Sequence, residues 1–382
     1  MAEVVTESLL RVLEMGEGGF GHLRDPATNY SAAGNSPQIG RDLIQKFRLR
    51  GGEPIVFFRN QVQNLRGRPT LTRIETIAGL TPPAYASKRS FDELEVVHPS
   101  ESLRFETPDG PMSMRIIDLF APIGKGQRAL IVAPPRTGKT TLLQQMSSGI
   151  RKNHPETLLM MLLVDERPEE VTEMKRSVCD AGAGWEKGFP EVVFSSNDHE
   201  AKSHGRISRF MIERAKRYVE MGRDVVILLD SLTRLGRAFN NLVGSSGRTM
   251  TGGLDIRALE IPKQLFGSAR KIEHGGSLTI IATVLVETGS RMDDFIFQEF
   301  KGTGNMELVL SRELANLRIW PAMNLAESGT RKEEMLLGAA NYEKVSRVRR
   351  RLMSLPPVKQ METMLEELGK YPSNAEFLRN LA

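Results

Sequence analysis

The sequence predicts an α/β protein, with a doubly wound parallel sheet in its larger C-terminal part and a small β-barrel or sandwich in front of it. Three observations carry that reading. From Met112 onward, continuous apolar runs alternate with amphipathic helical stretches, the pattern of strands buried on both faces and joined by crossover helices. Before about Pro83 the chain reads as short β-runs broken by Gly, Asn and Pro, which suits a small closed sheet. Between Ala129 and Ile150 an apolar run, a tight loop ending Gly138-Lys139-Thr140 and a helical run succeed one another. Strand, loop, Gly-Lys-Thr and helix form the layout of a nucleotide phosphate loop.

Taken in order, the N-terminal strand candidates are 8–15, 20–24, 54–59 and 70–77, with a short helix over 40–47. Residues 81–89, with paired prolines and small side chains, read as a linker. The expected domains are therefore 1–84, a connector over 85–111, and 112–382. In the last, the strands are 129–132, 158–164, 192–194, 225–229, 278–284 and 307–310, and helices over 168–180 and 205–221 fill two of the gaps. Ligands of such sheets sit outside the carboxyl ends of the strands, so the motifs should cluster there.

Bulk properties narrow the partners and the compartment. The net charge of +5 over 382 residues permits an anionic partner without requiring one. Cys179 is the single cysteine, which excludes an intrachain disulfide and a cysteine zinc cluster. His199 and His204 stand near Asp198 and Glu200, and read as a polar loop entering a helix rather than a metal site. The apolar run over 158–164 is far too short to span a bilayer, and the N-terminus lacks a signal pattern. A cytoplasmic protein with no membrane partner is expected.

The chemistry begins at the loop. Its backbone N–H groups and the positive end of the following helix face the phosphates of a bound nucleotide. Lys139 is placed to reach the β- and γ-phosphates and the Thr140 hydroxyl to ligate Mg²⁺. Ala133 stands where the general pattern has its first glycine, and Pro134 and Pro135 have no N–H to offer. Leu228-Leu229-Asp230 closes an apolar strand with an acid, the usual second carboxylate of a phosphate-loop enzyme. Asp165-Glu166 closes another. Glu166 is the candidate base for the attacking water, with Asp165 as its competitor. Each acid also reads as a helix-start residue.

At this point the chain resembles a known family. The runs Arg115-Ile116-Ile117-Asp118, Ala121-Pro122-Ile123-Gly124-Lys125-Gly126-Gln127-Arg128 and Asp165-Glu166-Arg167-Pro168-Glu169-Glu170 are similar to those of the Rho family of bacterial transcription termination factors. So are Leu229-Asp230-Ser231-Leu232-Thr233-Arg234 and Phe300-Lys301-Gly302-Thr303-Gly304-Asn305-Met306-Glu307. In that family Ala133 in place of glycine is normal. The resemblance implies a RecA-like core, a homohexamer ring with ATP between subunits, and an RNA-dependent ATPase that moves along RNA and unwinds RNA–DNA hybrids. Its partners are then single-stranded RNA and RNA polymerase, and its cofactors ATP and Mg²⁺.

Carried over by motif, ATP contacts fall on Pro134, Pro135, Arg136, Thr137, Gly138, Lys139, Thr140, Thr141 and Arg167. Trp320 is the residue that stacks on adenine. Arg331 is the arginine finger aimed at a neighbour's γ-phosphate, with Arg318 as a second candidate. Glu166 and Lys139 complete the catalytic set, and Thr140 and Asp230 the metal side. RNA contacts fall on Arg248, Thr251, Gly252 and Gly253 in one glycine-rich loop, and on Lys301 and Gly302 in another. In the N-terminal domain, implied to be an OB-type barrel, they fall on Phe20, His22 and Arg24.

That domain departs from the family. Its N-terminal helical bundle is expected to be absent, and His22 stands where a second aromatic is usual. Residues 32–38 supply no aromatic, which leaves Tyr30 as a substitute, and Phe57 and Phe58 should face opposite sides of a strand. Two other functions compete with termination: a related ring ATPase of rotary or export type, and a low-turnover clamp on RNA or polymerase.

Overall fold

The computed structural model describes residues 8–32, 36–58, 71, 73–179, 190–243 and 253–381. Residues up to Glu95, with Arg206–Arg223 and His274–Gly276, form one compact unit, and the remainder forms a second. In the first, β1 (Ser8–Met15), β2 (Gly21–Arg24), β3 (Gln38–Ile39), β4 (Pro54–Phe58) and β5 (Ile74–Ile77) make one antiparallel sheet in the order β3-β2-β1-β4-β5. Short helices α1 (Arg41–Lys46) and α2 (Pro82–Ala86) accompany it. Alternation in the strands sends Leu13, Leu23, Ile39, Ile55 and Phe57 into a single core. The five-stranded sheet fits the OB-type reading. The last residue of the expected 54–59 strand and the first of the 70–77 strand lie outside the described residues.

The second unit begins with β6 (Val96–Val97), α3 (Met112–Phe120), β7 (Arg128–Ala133), α4 (Lys139–Asn153), β8 (Leu158–Glu166), α5 (Pro168–Val178) and β9 (Glu191–Ser196). Next come α6 (Ala201–Glu220), β10 (Asp224–Asp230), α7 (Leu232–Val243), α8 (Glu260–Gly267), β11 (Arg270–Ile272), β12 (Ser277–Leu285) and α9 (Arg291–Lys301). The chain closes with β13 (Met306–Val309), α10 (Arg312–Asn316), β14 (Gly329–Thr330), α11 (Glu334–Leu337), α12 (Ala339–Leu352), α13 (Pro357–Gly369) and α14 (Asn374–Asn380).

The main sheet runs β14-β13-β7-β12-β10-β8-β9. Along that path all neighbours are parallel except the β13–β14 pair, and off it β11 pairs antiparallel with β12 and β6. Its central strands are buried almost end to end, which is why they read as unbroken apolar runs. On one face Leu143, Met146, Met174 and Met361 join Ile131 and Met161 in a continuous core. The C-terminal helices are tied to α3 by Arg115, which donates to the carbonyls of Leu368 (3.0 Å) and Tyr371 (2.8 Å). On the other face α7 crosses α9 closely, since a Cβ on Gly236 would lie 3.1 Å from Ile296. Every parallel crossover returns the chain to the amino edge. The carboxyl edge therefore collects the segments after β7, β8 and β10, and the amino edge those before β7 and β13.

Helix α6 belongs to the second unit only as far as Gly205. From Arg206 on it packs into the first, where Phe210 meets Tyr30 at 4.8 Å between ring centroids. Its amphipathic pattern marks a buried face but not which sheet covers that face. Here the chain buries charges in pairs. Glu53 accepts from the backbone N–H groups of Arg50 (2.6 Å) and Gly51 (2.7 Å) and from the Tyr85 hydroxyl (3.0 Å). Glu220 accepts from the Phe91 N–H at 2.7 Å and pairs with Arg50 at 2.6 Å and Arg217 at 3.0 Å. Gly52 lets the strand approach this helix, with a φ of +87° and a Cβ position only 2.4 Å from the Arg214 backbone nitrogen. Gly52→Ala should destabilise the protein by about 2–4 kcal/mol, read as a lower midpoint in urea unfolding. A change below about 0.5 kcal/mol, the level of an ordinary surface substitution, would contradict this close approach.

Candidate active site

The phosphate loop lies where β7 hands over to α4. Pro134 and Pro135 stiffen its entry, and the Pro134 carbonyl, not an N–H, is put to use: it accepts from the Thr137 hydroxyl at 2.7 Å. Arg136 takes a left-handed φ of 66°. Gly138 caps α4 at a φ of 85°, and a Cβ there would lie 2.9 Å from the Trp320 ring. Both the backbone angle and the close ring demand glycine. Lys139 and Thr140 open the helix, whose N-terminal dipole favours an anion. Pro135, Arg136 and Thr141 are exposed on the same loop and first turn.

Three strands bring charge to that helix end. The Lys139 ammonium lies 2.5 Å from Asp230 at the end of β10 and 3.6 Å from Glu166 at the end of β8. Asp230 also accepts from the Thr283 hydroxyl of β12 at 2.7 Å. Arg234, one turn into α7, reaches Glu166 at 3.2 Å and donates to the Asp165 carbonyl. Both Glu166 carboxylate oxygens are buried and accept no hydrogen bond. Burial pushes the Glu166 carboxyl up to about 8, with Asp230 adding to the rise and Lys139 and Arg234 opposing it. Burial opposes the Lys139 charge, but Asp230 and Glu166 outweigh that and hold its ammonium above the usual lysine range.

A bulge separates the two neighbouring acids. The β8–β9 register shifts between Val164 and Glu166, and Asp165 sits at a φ of 56°. Such an extra residue re-aims its neighbours. Glu166 turns inward, at 2% exposure, toward Lys139, while the Asp165 side chain stays about one-third exposed. Arg167 is exposed at the start of α5.

Beside the loop lies a pocket of about 380 Å³ lined by Thr137, Gly138, Thr141, Leu142, Trp320 and Met323, among others. Its apolar walls and exposed indole ring suit a flat base. Ser113 and Gln145, hydrogen-bonded to each other at 2.5 Å, add polar groups to it. Arg318, with a φ of 61°, lies on this edge, two residues before Trp320. Arg331 does not. Thr330 pairs with Met306 at the start of β13, and the Arg331 N–H donates to Asn305. Arg331 is thus exposed at the amino edge, away from this loop.

The nucleic-acid candidates divide. Arg248, Thr251 and Gly252 lie outside the described residues. The Gly253 carbonyl accepts from Asn240 of α7 at 3.1 Å. Lys301 and Gly302 end α9 at the amino edge, and Lys301 pairs with Glu307 at 3.7 Å. In the barrel, Phe20 is 43% exposed, and His22 stands on the same strand as Arg24. Arg24 itself is buried in a pair with Glu14 at 2.5 Å, so it presents no free cation. The cation beside Phe20 is Arg41, 5.1 Å from the ring centroid. Tyr30 is fully buried and supplies no exposed ring.

Sequence reasoning assigned no role to Arg234, Thr283, Arg41 or the Ser113–Gln145 pair. Only Arg234 carried a local signal, four residues after Asp230 and so one helical turn on. Among the described residues no group of His, Cys, Asp and Glu could hold a metal ion by itself, and no helix is long and apolar enough to cross a membrane.

A family model described as the ATP synthase alpha/beta family, nucleotide-binding domain, matches residues 113–330. Transcription termination factor Rho of Aquifex aeolicus is 47% identical over 96% of this chain and 83% of its own length. Those of Cereibacter sphaeroides and Streptomyces coelicolor are each 49% identical, over 97% of this chain and 86% and 85% of theirs. A solved ATPase from the type III secretion system of pathogenic bacteria superposes with a TM-score of 0.59 at 23% identity, over 75% of this chain and 78% of that one. That likeness concerns the fold: a RecA-like core with mixed α/β layers.

The Glu166 carboxyl gives the free protein a pH signature. Its proton is lost near pH 4.5 when unfolded but only near 8 when folded. The folded state thus holds the extra proton across that window, and stability falls as pH rises through it. Glu166→Gln has no such proton. Its thermal midpoint should exceed wild type by a margin that grows from pH 5 to pH 8 and then levels off. Parallel curves for the two proteins across that range would contradict the raised value.

Proposed function

This chain belongs to the transcription termination factor Rho family, and from that premise we propose an RNA-stimulated ATPase that moves 5′ to 3′ along single-stranded RNA and releases transcripts. As a member of the family it is a transcription termination factor with an ATP-dependent helicase core. The observation that carries the catalytic reading is the cluster of Lys139, Glu166 and Asp230 at the mouth of the phosphate loop.

The triphosphate enters with its charge against the start of α4, Lys139 and Arg234. Lys139 exchanges Asp230 for phosphate oxygen. The Glu166 carboxylate, whose oxygens accept no hydrogen bond from the chain, orients the attacking water and takes its proton, and its raised proton affinity makes it a stronger base. Trp320 and its pocket hold the base. Thr140 and Asp230 fit Mg²⁺, a cation that takes few protein oxygens alongside phosphates and water. When bound it neutralises charge on the transferring phosphoryl group.

Arg331 at the amino edge supports a finger in trans. A head-to-tail ring places one copy's amino edge against the next copy's carboxyl edge, and a homohexamer is the assembly proposed. Such a finger supplies about 10³–10⁵ in rate. Gly253 and the Lys301-Gly302 pair, near the C-terminal ends of helices that pack together, and Phe20 with Arg41 and His22 on the barrel, are the proposed RNA contacts. The nascent transcript, RNA polymerase and a cytoplasmic setting complete the proposal. The export or rotary alternative has the ATP synthase family model over residues 113–330 and a fold-level likeness behind it, whereas the relatives at 47–49% identity over nearly the whole chain are termination factors.

The test is steady-state ATP hydrolysis with and without single-stranded RNA. Hydrolysis should rise at least about tenfold with RNA, and Lys139→Ala should lose about 10²-fold or more, the range for a phosphate-stabilising group. No stimulation by RNA overturns the translocase reading, and an active Lys139→Ala protein overturns the site.

A further inference from the structure

We infer that His204 is a positioning residue for hydrolysis: it holds the bulged Asp165 and, through it, the Arg234–Glu166 pair. The inference rests on the ATPase reading above. His204 lies in the first turn of α6, 5% exposed. Its Nδ1 is 2.7 Å from the Ser195 hydroxyl of β9, and its Nε2 faces Asp165 at 3.9 Å. Ser195 is buried, and its hydroxyl also lies 3.4 Å from the Nδ1 of His199. Its neighbour Ser196 pairs with Glu166 across the bulge.

Asp165 faces Arg234 at 3.7 Å, and Arg234 reaches Glu166 at 3.2 Å. The chain of contacts therefore runs from Ser195 through His204, Asp165 and Arg234 to the carboxylate that faces the phosphate loop. The imidazole is held by its backbone too: a Cβ on Gly205 would lie 3.1 Å from Leu242 and 3.3 Å from Phe239 of α7, the helix that carries Arg234. A left-handed backbone is unfavourable for a residue that carries a Cβ, so the bulge gains from outside support, and His204 is placed to give it. With Ser195 buried, no substrate reaches its hydroxyl, and the set makes no nucleophilic relay.

The test uses the full chain with ATP and single-stranded RNA. His204→Ala should lower kcat about 10- to 100-fold, the range for groups that orient a catalytic ligand, with KM for ATP within about twofold of wild type. His204→Gln, whose amide both accepts from Ser195 and donates to Asp165, should recover kcat to within about fivefold of wild type. His204→Ala on top of Asp165→Asn should cost no more than Asp165→Asn alone. An unchanged kcat in His204→Ala overturns the inference. So does a joint loss of kcat, nucleotide affinity and thermal midpoint that His204→Gln does not repair. Glu166→Gln is the control. If it still hydrolyses ATP, the ATPase site itself is misread; if it is dead while His204→Ala turns over normally, only the positioning role fails.

Discussion

Parallel strands constrain this protein more than any other feature. Because β7, β8, β10 and β12 run the same way, the segments after them all emerge at one edge. Lys139, Glu166 and Asp230 are far apart in the chain, yet the ladder sets both acids within 3.6 Å of a common ammonium. The same rule removes Arg331. Strand β14 is antiparallel to β13 and carries its end to the amino edge. One chain thus holds the Lys139, Glu166 and Asp230 cluster at one end of its sheet and Arg331 at the other.

Burial then sets the chemistry. Two carboxylates and a lysine are taken out of water together, which is tolerable only while each has a partner. Asp230 has two, in Lys139 and the Thr283 hydroxyl. Glu166 has cations nearby but accepts no hydrogen bond, and its burial, with Asp230 close by, outweighs those cations and raises its proton affinity. In the proposed reaction a triphosphate competes with Asp230 for the same ammonium, so its binding and the release of Asp230 are one event.

Much of this was legible in the sequence, for a physical reason. Strands buried on both faces must be apolar throughout, so each core strand showed as a run, and a phosphate loop must join strand to helix, so Lys139 and Thr140 were placed by context. The acids were legible as strand ends. What separated Glu166 from Asp165 was a one-residue bulge, and no residue type announces a bulge. Arg24 looked like a basic contact and is a buried pair with Glu14. Tyr30 looked like a spare aromatic and is core. In both cases the partner comes from elsewhere in the chain, so local pattern could not show it. The α6 helix illustrates the same limit: its apolar face was evident, but not that most of it packs within the barrel unit.

The central claim is that one hydrolytic site is divided between two copies of this chain, with Lys139 on one and Arg331 on the next. Mixing two inactive proteins tests it directly. Lys139→Ala keeps Arg331, and Arg331→Ala keeps the phosphate loop. Assembled together with RNA and ATP, they should regain hydrolysis at a level that tracks the fraction of junctions pairing an intact loop with an intact arginine. A mixture as inactive as either protein alone, in rings shown to contain both, would contradict it.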